Sequence, residues 1–296
     1  MPHPVIFDRP LLRARRARAA ALGPATFLLE RAADDLAARL AAVLRRFDLA
    51  IDLGTPGDAV RSTLADRVGA IVAVDPVPGQ LTANGLRVAA DEEALPFRDG
   101  SLDLVVSALA LQFVNDLPGT LIQIRRALKP DGLLLAAMIG GDSLSELRAA
   151  FAAAESEIEG GVSPRVAPFA DLRELGALLQ RAGFALPVTD VDRVTVRYGS
   201  PLGLMQDLRR MGATNALVER RCTPLRRRTL QRMMEVYAER FADADGRVRA
   251  TFDIVWLSGW APHQSQQQPL APGSARTRLA DALRTQEISA GEKAGR

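Results

Sequence analysis

AIDLGTPGDAV, residues 50–60, decides the fold. Ala50 and Ile51 close a short apolar run that suits a strand buried on both faces. Asp52, Leu53 and Gly54 end that run, and DAVRSTLADRV (58–68) has helical character. A strand, a glycine turn and a helix in this order open a βαβ unit. Downstream, the same alternation recurs. GAIVAVD (69–75), LRVAAD (86–91), LDLVVSALAL (102–111) and LLLAAMIG (133–140) are further apolar runs. PGTLIQIRRALKPDG (118–132) supplies a helix with a Pro-Asp-Gly stop. Apolar strands alternating with helices predict an α/β fold with a doubly wound, mainly parallel sheet.

The flanks predict helices around that sheet. FDRPLLRARRARAAAL (7–22) has Asp8 as N-cap ahead of Pro10. After Gly23-Pro24 a second helix runs from Phe27, with Leu28, Leu29, Leu36, Leu40 and Leu44 at helical spacing. The arginines of the first helix form either a lid or partner-binding arm, or a solvated face over the core. Beyond Gly140, SLSELRAAFAAAESEI and VAPFADLRELGALLQRAGF read as helices, the second closed by Gly183. PVTDVDRVTVRYGS alternates as an antiparallel strand, two more helices follow, and VRATFDIVWLSGWAP is a final strand. The expected organisation is a helical arm (1–47), an α/β core (48–145), C-terminal helices and edge strands forming a helical C-terminal lobe (146–263), and a partly disordered polar tail (264–296).

Composition narrows the function. The 296 residues carry a net charge of +3, and Lys129 and Lys293 are the only lysines among the cations. No aromatic-interleaved basic patch or zinc signature is present, so nucleic-acid binding is not expected. One cysteine, Cys222, excludes an internal disulfide, and two distant histidines, His3 and His263, do not make a metal site. No apolar run approaches the roughly 20 residues that span a bilayer, and no secretory signal is visible. The expected location is cytoplasmic, with any contact to an inner membrane made through a partner.

Ligands of open α/β sheets bind beyond the carboxyl ends of the strands. Three groups of acids lie there. Asp52 ends the first strand. Asp75, followed by Pro76, ends the second about 20 residues on, the spacing at which an acid reaches ribose hydroxyls. Asp91 and Glu92 follow the third, where a carboxylate can meet an adenine amino group. The loop itself departs from a phosphate cradle. Pro56 removes an N–H donor, and Asp58 stands where a dinucleotide site wants glycine. A carboxylate there opposes a phosphate and tolerates a cation, which favours a sulfonium ligand over a dinucleotide.

AIDLGTPG, IVAVD and ADEEALPFRDGSLDLVVSALALQFVNDLPGTLIQIRRALKPDGLLLAAMIGG, with their spacing, resemble class I S-adenosylmethionine-dependent methyltransferases over about a third of the chain. The FDR-initiated arginine-rich helix, LQFVNDLPG and GWAPHQSQQQPLAPGSA extend the resemblance over nearly the whole chain, to the methyltransferase-like complex I assembly factor 5 family of mitochondria and alphaproteobacteria. The resemblance implies a Rossmann-like methyltransferase fold and S-adenosylmethionine as cofactor. It places Asp52, Gly54, Thr55 and Gly57 in the cofactor loop, Asp75 and Pro76 at the ribose, and Asp91 and Glu92 at the adenine. Ser107 to Gln112, with Ser107 and Leu109 foremost, would line the pocket. The family implies two reactions: methylation of an acceptor such as a quinone-like ring or acyl carrier, or modification, including hydroxylation, of an arginine on a respiratory complex I subunit. Non-catalytic chaperoning of that subunit is the third reading. No residue is singled out as catalytic. Trp256 and Trp260 suit core packing or a pocket wall, and His263 suits a general base or a surface position. The two histidines and carboxylate of an iron-dependent route are not gathered by the sequence.

Overall fold

The computed structural model describes residues 5–77, 85–267, 274 and 277–286. A seven-stranded sheet organises the first compact unit, Met1–Pro262. Its strands are β1 (Phe47–Leu53), β2 (Val68–Val74), β3 (Leu86–Val88), β4 (Leu102–Ala108), β5 (Leu128–Gly140), β6 (Ala185–Tyr198) and β7 (Val248–Trp260), in the spatial order β3-β2-β1-β4-β5-β7-β6. The first five are parallel; β7 runs antiparallel to β5, and β6 to β7. The strand order reverses between β1 and β4, so the carboxyl ends of β1, β2 and β4 form the crevice.

Alternating residues of β1 and β4 feed two different cores, which is why the polar residues of these strands are confined to positions near their ends. Ile51, Leu53 and Val105 pack on one face with Leu121 and Ile124 of α4 (Leu117–Ala127) and Leu175 and Leu179 of α6 (Leu172–Arg181). Ala50, Leu104 and Val106 pack on the other with α2 (Phe27–Ala41) and α3 (Ala59–Leu64). A third apolar cluster joins α5 (Ser145–Glu159), α7 (Pro201–Arg210) and α8 (Arg227–Phe241) to β7. This is the helical C-terminal lobe.

Several boundaries differ from the sequence pattern. β3 stops at Val88, because the chain leaves the edge for a turn in which Asp91 accepts from the Glu93 N–H. β5 begins at Leu128, and a register shift opposite Leu102–Leu104 absorbs Lys129–Gly132. α2 ends at Ala41, so Leu44 lies beyond the helix and is fully exposed. α6 starts at Leu172 and not at Val166, with Asp171 as its N-cap, whose carboxylate accepts from the Arg173 N–H at 2.8 Å. Asp8 and Gly183 cap as expected: Asp8 accepts from the Leu11 N–H at 3.0 Å, and Gly183 adopts φ +85° after α6.

α1 (Arg9–Ala21) is tied into the first unit. The Asn115 side chain accepts from the N–H groups of Ile6 and Phe7 at 2.8 and 2.7 Å. The second unit, from His263, contains a short helix α9 (Leu279–Leu283); most of the polar tail lies outside the described residues.

Candidate active site

β1 and β2 deliver Asp52 and Asp75 side by side at the crevice, each 1% exposed. Asp52 takes a 2.7 Å ion pair from Arg61 of α3, which also donates to the Gly57 carbonyl at 2.6 Å. Its Oδ1 is buried without a partner. Asp75 accepts one bond, from the Val77 N–H at 2.6 Å, and its Oδ2 is likewise buried and unpartnered. Burial pushes both carboxyls up to about 6, against the opposing pull of the Thr55 hydroxyl and Arg61 on Asp52 and of the Val77 N–H on Asp75. The Asp75 charge adds to the rise at Asp52, and the Glu92 charge to the rise at Asp75. Two acceptors are therefore held open at adjacent strand ends, the reverse of the usual pairing of buried polar atoms.

Two buried hydroxyls brace the loop that follows β1. Thr55 accepts from the Ala108 N–H at 2.9 Å, and Ser107 donates to the Leu53 carbonyl at 2.7 Å. Both are buried braces that hold β4 against the end of β1; Ser107 is not on the cavity wall. Gly54 adopts φ +70°, and a Cβ there would come within 2.5 Å of Glu92 Oε1. Gly57 adopts φ +76° with nothing within 4 Å of a would-be Cβ, so it faces open space. Asp58 precedes α3 without capping it and is exposed. Pro76 is half-buried beside Asp75.

Asp91 and Glu92 sit at the third strand's turn, and α1 reaches them. Arg9 bridges to Asp91 at 2.8 Å and to Glu92; Arg13 pairs with Asp91, and Arg16 approaches Glu92 at 3.5 Å. Burial raises the Asp91 carboxyl, but the Glu93 N–H, Arg9 and Arg13 outweigh it and hold it below the ordinary value. The arginine-rich face is thus a clamp on the site's own acids. Sequence reasoning missed this pairing, as it missed Arg61. Positions 9, 13 and 16 repeat at helical spacing, which is the signal that one face carries all three.

Beside the loop lies a cavity of about 470 Å³. Leu109 and Gln112, after β4, and Pro56 and Gly57 form the wall next to the loop, and residues of α1, α2, α5 and α7 make up much of the rest. Leu109 is held at φ +54°, a strained position for a branched side chain. Trp256 is a core residue, its ring stacked under Arg39 at 4.4 Å, and Trp260 packs at the edge of the same cluster. Tyr237 is buried in the lobe and donates to the Arg249 carbonyl at 2.8 Å. Cys222 is exposed. His263, in the second unit, is exposed with Nδ1 2.7 Å from the Ser265 hydroxyl.

The strand order, the reversed last strand and the acids at the crevice define a class I S-adenosylmethionine-dependent methyltransferase fold. A methyltransferase-domain family model matches residues 51–136. The solved YcgJ protein of Bacillus subtilis superposes with a TM-score of 0.53 at 14% identity, covering 77% of this chain and 98% of that one. Full-length relatives narrow the class. The zebrafish mitochondrial arginine-hydroxylase NDUFAF5 is 38% identical over 290 residues, 93% of this chain and 89% of that protein. The human protein is 40% identical over 280 residues, 91% and 81% respectively. The chain belongs to the NDUFAF5 family. A malonyl-[acyl-carrier protein] O-methyltransferase of Laribacter hongkongensis is 40% identical over 186 residues, 63% of this chain and 60% of that one.

Proposed function

We propose that the chain binds S-adenosylmethionine at the carboxyl ends of β1 and β2 and transfers its methyl group to an acceptor held in the adjoining cavity. The observation that carries this is the pair of unpartnered buried carboxylate oxygens, Asp75 Oδ2 and Asp52 Oδ1, beside a glycine turn that opens toward that cavity. Asp75 suits the ribose hydroxyls: its Oδ2 lacks a donor, and the hydroxyls would supply one. Gly57 leaves room for backbone to approach the methionine end, and Asp52 with Arg61 sets the loop beneath it. Asp91 and Glu92 fall at the adenine end, where the clamp from α1 fixes their orientation. Pro76, next to Asp75, and Leu109, after β4, flank the cofactor.

The bound cofactor supplies a methyl group already activated on sulfur. The protein's task is to align an acceptor with it and exclude water, and alignment alone can supply about 7 kcal/mol or more of the barrier. The apolar cavity wall serves both ends. Calorimetric titration with S-adenosylmethionine tests the reading: micromolar binding is expected, and no heat at millimolar ligand would refute it.

The 38–40% identity to arginine-hydroxylases supports a second reading, in which the same site modifies an arginine of a respiratory complex I subunit and the protein acts in that complex's assembly. Such a partner would account for action near an inner membrane; among the described residues no helix is long and apolar enough to cross one. Co-purification with the subunit, and loss of assembled complex on gene deletion, test it.

A further inference from the structure

Most of the cavity wall is aliphatic and aromatic side chain, and its few polar members are nearly all engaged elsewhere. Among the described residues no Asp or Glu lines it. Three arginines do, and each has its own acid. Arg16 lies 3.5 Å from Glu92, Arg165 bonds Glu155 through Nε at 2.7 Å, and Arg210 lies 3.7 Å from Asp207. Thr26 donates to Glu30 at 2.7 Å. Asn215 donates to the Pro164 carbonyl at 2.7 Å and accepts from the Leu217 N–H at 3.1 Å. Two oxygens are left over: Gln112 Oε1 and Thr214 Oγ1 are buried with no partner.

Gln112 is the one held in a single orientation, on the same stretch of wall as Pro56 and Gly57. Its Nε2 donates to the Leu109 carbonyl at 2.8 Å, and Leu109 is fixed in turn by its own N–H, which donates to the Ala137 carbonyl of β5 at 2.8 Å. Turning the amide over would set Oε1 against the Leu109 carbonyl, two acceptors with no proton between them. The side chain therefore has one group to offer, an acceptor. A buried acceptor without a donor is destabilising, and folding alone leaves it so. A ligand N–H would satisfy it, whereas a carboxylate or carbonyl oxygen would add a second acceptor. The rings say which donor suits the wall. Phe113 and Phe151 both line it, and each already carries a guanidinium over its face, Arg16 at 5.7 Å and Arg165 at 5.4 Å. A planar group rich in N–H packs well there. We infer that Gln112 sets the specificity of the cavity: Oε1 accepts from an N–H of a planar donor, a guanidinium above all, on the molecule to be modified. This rests on the reading above that the group to be modified is held in this cavity, and it holds for either reaction. Gln112 orients that group and moves no proton.

The test uses three probes, the N-acetyl methylamides of arginine, citrulline and norleucine. The first side chain is planar and charged, the second planar and neutral, and the third has no N–H. Each is titrated calorimetrically at pH 7.5 into the full chain in the presence of S-adenosylhomocysteine. In the parent, arginine and citrulline are expected to bind more tightly than norleucine. Gln112→Leu is expected to weaken both about five- to tenfold and to leave norleucine within about twofold. Gln112→Glu keeps an acceptor and adds a charge, so it is expected to bind arginine at least as tightly as the parent does, and in preference to citrulline. Arginine and citrulline unchanged in Gln112→Leu, or a loss shared equally by norleucine, overturns the role of Gln112 and leaves the cavity reading standing. Where Gln112→Leu does not fold, the other two results decide: norleucine equal to arginine in the parent, or arginine lost in Gln112→Glu, overturns the inference. A parent that binds S-adenosylhomocysteine and none of the three probes overturns the cavity as the place of the modified group, and the role of Gln112 with it.

Discussion

Asp75, just past the end of β2, and Asp253, within β7, are 1% and 2% exposed, yet they live in opposite environments. Asp253 is gripped. Arg193 donates Nε to Oδ1 at 2.7 Å and Nη2 to Oδ2 at 2.8 Å, and the Asp142 N–H adds a third bond at 3.0 Å. The Arg193 bond leads in holding its carboxyl below the ordinary value. Asp75 has one backbone donor and a free oxygen, and burial lifts it to about 6. The fold can pair a buried carboxylate completely when the charge is structural. At the crevice it leaves an acceptor open, and folding alone gives no reason to do so.

The largest expected effect separates the two by function. Asp75→Ala should weaken S-adenosylmethionine binding by about ten- to a hundredfold, the worth of charge-assisted bonds to two hydroxyls. Arg193→Ala strands the Asp253 carboxylate and should cost about 1–3 kcal/mol of stability, several degrees in Tm, with cofactor affinity intact. Arg193 is itself 57% exposed, so solvent replaces part of what is lost. Calorimetry and thermal unfolding on both variants read the two effects independently. An Asp75→Ala protein that binds as well as the parent would sink the comparison.

Acidity gives the next effect, with opposite signs at the two sites. A folded carboxyl raised from 3.8 to about 6 holds its proton more tightly than the unfolded chain does, so its contribution to stability falls as pH rises from about 4 to about 6. Asp75→Asn should therefore raise Tm at pH 7.5 and not at pH 4. For Asp253 the folded carboxyl is lowered, so its stabilisation is present at neutral pH and fades as pH falls through that lowered value. Ligand hydroxyls favour the ionised Asp75, so affinity for S-adenosylmethionine should drop about tenfold per pH unit below about 6. Flat affinity from pH 7.5 to 5 would show that Asp75 does not meet the ligand.

The same contrast explains how much was legible in advance. The apolar strands, their order of appearance and the acids Asp52 and Asp75 follow from local pattern, because a strand buried on both faces has no polar position to spare except at its end. What the pattern hides are partnerships across the chain. Arg9 meets Glu92 across 83 positions and Arg193 meets Asp253 across 60; nothing local marks either. Ser107 and Thr55 sit at the right strand ends, yet their hydroxyls turn inward as braces, a choice set by which neighbour offers a backbone partner. Of the cavity only the segment after β4 was legible, where Leu109 and Gln112 line it; the rest of its wall comes from helices, strands and loops spread from Phe7 to Phe252.

The smallest expected effect tests the loop that makes the crevice differ from the rest of the sheet. Gly57 and Gly100 share a left-handed backbone, φ +76° and +64°, and neither has an atom within 4 Å of an added Cβ. Alanine at either position carries the same conformational penalty, about 1–2 kcal/mol, with no steric conflict inside the protein. Gly57→Ala and Gly100→Ala should therefore lower Tm by similar amounts. Only Gly57→Ala should also weaken S-adenosylmethionine binding, by a few-fold, because only Gly57 borders the cavity. Equal affinity in both variants would place the cofactor elsewhere than on the 54–57 turn. Weaker binding at Gly57 with no loss of Tm would mean that the new methyl group meets the ligand itself, and that the open space there is the ligand's own.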